Sequence, residues 1–196
     1  MGMKQEFQPL TKEDKVTVLL YRTGIVLSAI FMSALAYVLA MGASPFGMSP
    51  DYLAYGLYAS VGISVFFIHL YIGKFKTFLK NLYYVSLTCL AVLIVMAKGP
   101  LSGAFENYPY SLLLLLPLSG CLGFVTAKEA FCFKLFEGYL LAMIMPFYLL
   151  LVASGGLSGR GASYGLVLIA AMLVIFTLRK VFMPMAYDIG DKSAYQ

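Results

Sequence analysis

Six apolar stretches constrain this chain more than anything else in it. They cover approximately 21–41, 52–72, 80–97, 110–127, 138–154 and 162–179. Each approaches the ~20 residues with which a helix crosses a hydrocarbon core about 30 Å thick. Barrel strands are excluded by the same pattern, because they alternate apolar and polar residues and last only about ten residues. Composition agrees: 61% of the 196 residues are hydrophobic and 12% charged, against about 45–50% and about 25% in soluble domains. A soluble globule of this length cannot hide so much apolar surface. The expected fold is all-α, a polytopic membrane helix bundle of six transmembrane helices. Residues 1–20 form an N-terminal segment, 21–180 the membrane domain and 181–196 a tail.

The breaks between stretches carry turn chemistry. "MGASPFGMSPD" follows the first, "KGPLSGAFENYP" the third and "SGGLSGRG" the fifth, all rich in Gly, Pro and Ser. Only Lys98 and Arg160 lie in those loops, so twelve of the fourteen Lys and Arg residues fall on the opposite side. By the positive-inside rule that side is cytoplasmic, and both termini share it. This distribution also accounts for the net charge of +5 without nucleic acid as a partner; the partner in view is the lipid bilayer. The first stretch is too long for the 7–15-residue core of a signal peptide. It follows "TKED", a helix start with Thr11 as cap and Asp14 three residues on. Cys89, Cys121 and Cys132 form no C-x-x-C motif, and read as small apolar residues.

Between the helix ends the spans hold no Asp, Glu, Lys or Arg. Proton-driven transporters place such groups at mid-depth, so that class is disfavoured. A carrier built from backbone and hydroxyl groups stays open, with Pro117 and Pro146 as breaks or simple kinks in the fourth and fifth helices. Gly24 and Ser28, and Gly56, Ser60 and Ser64, recur at spacings of four, which gives one close-packing face on each of the first two helices. The single histidine, His69, is expected about one turn from the inner end of the second helix. It reads either as an interfacial residue bonded to a carbonyl or headgroup, or as an axial ligand to a pigment. Tyrosines near helix ends form an interfacial belt.

Polar chemistry gathers at the cytoplasmic rim, where Arg22, His69, Lys128, Glu129, Arg179 and Lys180 should share one level. Lys and Arg there snorkel toward lipid phosphates, while Glu129 and Glu137 are expected to pair with Arg22 or Arg179. In "TAKEAFCFKLFEG", residues 126–138, the aromatics Phe131, Phe133 and Phe136 should dip into the interface. Lys128, Glu129 and Lys134 should stay wet. The terminal "YDIGDKSAYQ", with Asp188 and Asp191, is polar enough for an exposed arm. An enzymatic reading would take Glu129 as acid or base, Cys132 as nucleophile and His69 as its partner, but no sequence spacing brings them together.

The segments "YRTGIVLSA", "HLYI", "KEAFCF", "LRK" and "DIGDKSAYQ" resemble an uncharacterised integral membrane protein family of phototrophic, notably cyanobacterial, organisms. The resemblance spans essentially the whole chain. It implies a photosynthetic or inner bacterial membrane and photosynthetic membrane subunits as partners. A chlorophyll-type pigment at His69, or carotenoid or lipid elsewhere, would then be the bound small molecules. The leading expectation is a non-enzymatic accessory, structural or assembly subunit of a photosynthetic membrane complex. Its docking or structural rim would be Arg22, Lys128, Glu129, Phe131, Phe133, Arg179, Lys180, Asp188 and Asp191. A transporter of a small neutral or amphipathic solute is the alternative, and a membrane-bound enzyme the third.

Overall fold

The thirty-residue opening helix sets the frame for everything else. In the computed structural model, which describes residues 10–42 and 47–189, α1 runs Lys12–Met41. Its start is written in the sequence. The Thr11 hydroxyl accepts from the Asp14 amide at 3.2 Å, and the Thr11 amide donates to the Asp14 carboxylate at 2.9 Å, a reciprocal capping box. Gly42 ends the helix in the left-handed conformation at φ 67, where a side chain would be strained. At 1.5 Å per residue α1 is about 45 Å long. Measured back from Met41, the ~30 Å of a hydrocarbon core ends close to Arg22.

The remaining helices are α2 (Pro50–Phe67), α3 (Gly73–Ala97), the short α4 (Leu101–Asn107), α5 (Leu116–Phe133), α6 (Phe136–Ala153), α7 (Gly159–Val181) and a single turn, α8 (Ala186–Ile189). A 3-10 segment, Pro109–Leu115, leads into α5. Among the described residues there is no strand. Packing links α2 to α1, α1 to α7, α7 to α6, α6 to α5 and α5 to α3. The helix α2 also touches α3 and α5, which closes the bundle. The core follows that ring, with Tyr21, Ile25, Val61, Val65, Val125 and Phe176 inaccessible to solvent.

Five helical segments are long and apolar enough to cross a membrane: Lys12–Met41, Gly73–Ala97, Pro109–Phe133, Phe136–Ala153 and Gly159–Val181. The helix α2 stands where the second of six spans was expected, yet is not among them. Its sequence is diluted by Asp51, the tyrosines Tyr52, Tyr55 and Tyr58, and the small residues Gly56, Ser60, Gly62 and Ser64. Those small residues face protein. A Cβ on Gly24 would come within 2.7 Å of the Ser64 nitrogen and 2.8 Å of the Ser60 oxygen. The Ser28 and Ser60 hydroxyls meet at 2.9 Å. A helix covered this closely by its neighbours needs less apolar surface for lipid.

Two prolines behave differently from one another. Pro146 lies inside an unbroken α6, whereas Pro117 sits in the first turn of α5, just where the 3-10 segment gives way to α-helix. There its missing N–H removes no helical bond.

Candidate functional site

The site begins with a tight turn. The helix α5 does not stop at residue 127 but continues to Phe133, and only Lys134, at φ 55, and Leu135 separate it from α6. A Cβ on Gly138 would lie 2.9 Å from the Ala130 Cβ, so α5 and α6 cross in near contact. The segment "KEAF" is therefore helical, and one of its faces points into the bundle.

That face carries Glu129, which is fully buried. Its Oε1 accepts from the Tyr21 hydroxyl at 2.7 Å and from Lys128 Nζ at 2.6 Å. Its Oε2 pairs with Lys180 Nζ from α7. Lys180, also fully buried, pairs in turn with Asp188 Oδ1 on α8. The other Asp188 oxygen takes Arg22 from α1, with Nε at 2.8 Å and Nη2 in the same pair. Arg22 donates further to the carbonyls of Val181 at 2.9 Å, Met183 at 2.7 Å and Pro184 at 3.2 Å. Phe133 closes the side, its ring 4.0 Å from Lys180 Nζ.

Three cations and two anions thus form one dehydrated network joining α1, α5, α7 and α8. All four carboxylate oxygens face a cation, so none is open to take a substrate proton. The arrangement fastens helix ends, and fastens the chain after α7 back onto α1.

Several expectations are corrected by this geometry. Glu129 and Lys128 are not wet: Glu129 is sealed, and the Lys128 side chain is only 11% exposed. Lys180 does not snorkel but turns inward, because two carboxylates inside the bundle offer more than a distant headgroup. Asp188 belongs to the buried network rather than an exposed arm; Asp191 lies outside the described residues. Arg22 pairs with Asp188 and not with a glutamate. Glu137 does pair with Arg179, at 2.6 and 2.7 Å, on the exposed rim. Phe131 and Phe136 project outward, whereas Phe133 is half-buried.

His69 is not on a helix. The helix α2 ends at Phe67, and Ile68 turns extended with ψ 135, leaving His69 in the connection to α3. Its Nε2 shares a hydrogen bond of 3.1 Å with the Thr17 hydroxyl. Its Nδ1 is buried and has no hydrogen-bond partner among the described residues. With Nε2 taken by Thr17 and Nδ1 buried, the surroundings do not fit a pigment ligand. Burial first, then the Lys128 ammonium, holds the imidazole below its ordinary value; the charge of Lys76 adds to this, against the opposing pull of Asp188 and Asp14. No hydrogen bond connects His69, Glu129 and Cys132, and among the described residues no group of three His, Cys, Asp or Glu could hold a metal.

At the opposite end the helices diverge around a cavity of about 510 Å³. Its walls come from every long helix, the 3-10 segment and α4. The lining is almost wholly apolar, from Leu39, Pro50 and Gly159 at the rim to Val61, Leu122 and Ile169 at depth. Asp51, Ser102 and Ser163 stand near the mouth. The path from Pro50 to Val61, or from Gly159 to Ile169, is about 15–17 Å of helix. Sequence reasoning missed both this cavity and the role of Tyr21; only the second had a signal, its place beside Arg22.

No curated protein and no solved structure matches the chain. A family model does, over residues 63–196, a stretch that includes His69, Lys128, Glu129, Lys180 and Asp188 and leaves out Tyr21 and Arg22. The chain belongs to the family described as "Uncharacterized integral membrane protein (DUF2301)".

Proposed function

We propose that this protein is a non-enzymatic accessory or assembly subunit of a membrane complex, docking a partner at its charged end. One observation carries the reading. Phe182 and Phe131, 84% and 80% exposed, are the most exposed large apolar side chains among the described residues, and both stand at that end. Phe182 lies about 35 Å of helix from Gly159, beyond a ~30 Å hydrocarbon core. Apolar rings held at headgroup level on a rigid base suit contact with another protein. The ion network beneath them supplies the rigid base.

The finer topology belongs to the same proposal. With α2 counted as a membrane helix carried by α1, there are six spans, and both termini lie on the cytoplasmic side with twelve of fourteen bases. The resemblance to a family of phototrophs supports a photosynthetic membrane and photosynthetic subunits as partners. The test is purification through a C-terminal tag in mild detergent, with mass spectrometry and an absorption spectrum of what accompanies the protein. Stoichiometric membrane subunits, lost with Phe131→Ser and Phe182→Ser, are expected. A solitary protein unaffected by those changes refutes the docking reading.

The apolar cavity favours a second reading, a carrier of an amphipathic solute. It requires flux of such a solute across vesicles containing the protein.

A further inference from the structure

The cavity has a feature that its volume alone does not reveal: it is as deep as one leaflet. Half of a ~30 Å hydrocarbon core is about 15 Å, and the lining runs about 15–17 Å along α2 and α7. Asp51, Ser102 and Ser163 stand near the mouth, while the Ser119 and Tyr148 hydroxyls in the wall are taken by the carbonyls of Leu116 and Ala162; the deep walls are aliphatic apart from the Tyr58 hydroxyl. This gradient matches a lipid standing in its own leaflet, and not a polar solute, which would need donors and acceptors at depth.

We propose that the cavity is a binding site for the acyl chain of one glycerolipid, taken from the leaflet at the end opposite the ion network. The chain lies along Leu57, Val61, Leu122 and Ile169, and the headgroup remains beside Asp51, Ser102 and Ser163. This lipid is an internal component of the bundle, distinct from the lipids that coat its outer faces. The site stands independently of the docking reading, because it lies at the other end of the molecule.

Tyr58 provides a discriminating contact. It lines the cavity and is 3% exposed, and its hydroxyl has no hydrogen-bond partner among the described residues. It lies about 12 Å of helix below Pro50, a depth where an acyl chain offers no acceptor. A molecule inserted head first, such as an isoprenoid with a carbonyl head, would offer one.

The experiment uses the full chain in phosphatidylglycerol vesicles doped with phospholipids carrying a photoreactive diazirine on the acyl chain. With the diazirine at the chain end, adducts are expected on Val61, Leu122 or Ile169. With the diazirine near the carboxyl, they are expected on Leu39 or Gly159. Adducts confined to exposed outward-facing residues such as Val95 and Phe147, whatever the diazirine position, overturn the proposal. Ala54→Phe narrows the cavity; displacing three or four methylenes, each worth about fourfold in affinity, lowers internal labelling about a hundredfold. Tyr58→Phe is expected to leave labelling unchanged. If Tyr58→Phe releases a co-purified isoprenoid, or free isoprenoid displaces the phospholipid, the occupant is that compound and the acyl-chain assignment falls.

Discussion

Replacing Asp188 by Asn tests whether the ion network fastens the fold. Among the described residues Asp188 is the one carboxylate shared by Arg22 and Lys180, and its side chain is fully buried. The change turns a set of three cations and two anions into three cations and one anion. Removing one partner of a buried pair typically costs about 3–5 kcal/mol. Arg22 keeps three carbonyl acceptors and Lys180 keeps Glu129, so the lower half of that range is expected. For a chain of this size ~2–4 °C accompanies each kcal/mol, which gives a fall in melting temperature of roughly 6–16 °C. The assay is thermal unfolding in mild detergent, with Glu137→Gln as control. Glu137 pairs with a half-exposed Arg179, and such pairs contribute about 0–1 kcal/mol. Charge balance supplies a second comparison: Lys180→Met leaves two cations and two anions, each anion still paired, and should cost less than Asp188→Asn. Equal melting temperatures for Asp188→Asn and Glu137→Gln would refute the reasoning, as would Lys180→Met proving the most damaging of the three.

Other consequences are local. Gly24→Val drives a side chain into the Ser64 nitrogen and Ser60 oxygen; separating α1 from α2 should cost at least the ~1–3 kcal/mol of an overpacked core, read as lost folded yield in detergent, whereas Gly159→Ala, with nothing within 4 Å, should be silent. His69 has a folded-state value below its unfolded one, so the unfolded chain takes up its proton first as pH falls through about 6.5. Stability is complete above that pH and declines below it. His69→Gln should remove that part of the slope, and an unchanged pH profile would count against the assignment. Thr17→Val, which removes the hydroxyl bonded to His69 Nε2, should lower melting temperature by the ~2–4 °C of one hydrogen bond of about 1 kcal/mol.

What the sequence disclosed, and what it withheld, follows from the range of the forces involved. The capping box at Thr11 was legible because it spans three residues. The close face of Gly24, Ser28, Ser60 and Ser64 was legible because helical spacing puts small residues in register. The level of Arg22, Lys128, Glu129 and Lys180 was legible as well, since the length of a span fixes where its ends lie. Their burial was not. It depends on which way α5 faces before the two-residue turn to α6, held by Lys134 in a left-handed conformation, and on α8, a single turn too short for any periodic signal. The cavity has no signature at all, because it arises where eight segments diverge and none of them is unusual alone.

The two ends of the molecule bear unequally on the two readings of its function. A carrier must open each end in turn, and at the charged end that means drawing Lys180 away from both Glu129 and Asp188. Each broken buried pair costs about 3–5 kcal/mol, so two together hold the open state about 6–10 kcal/mol above the closed one. A minor state useful for exchange is populated at about 0.1–10%; this one would fall below about 0.01%. A solute bound at the far end touches none of these groups, so it brings no differential affinity with which to shift that balance. An apolar cavity at the end away from the ion network fits a resident chain better than a passing one. The same network holds Phe131 and Phe182 on a fixed base, which is what a docking face requires.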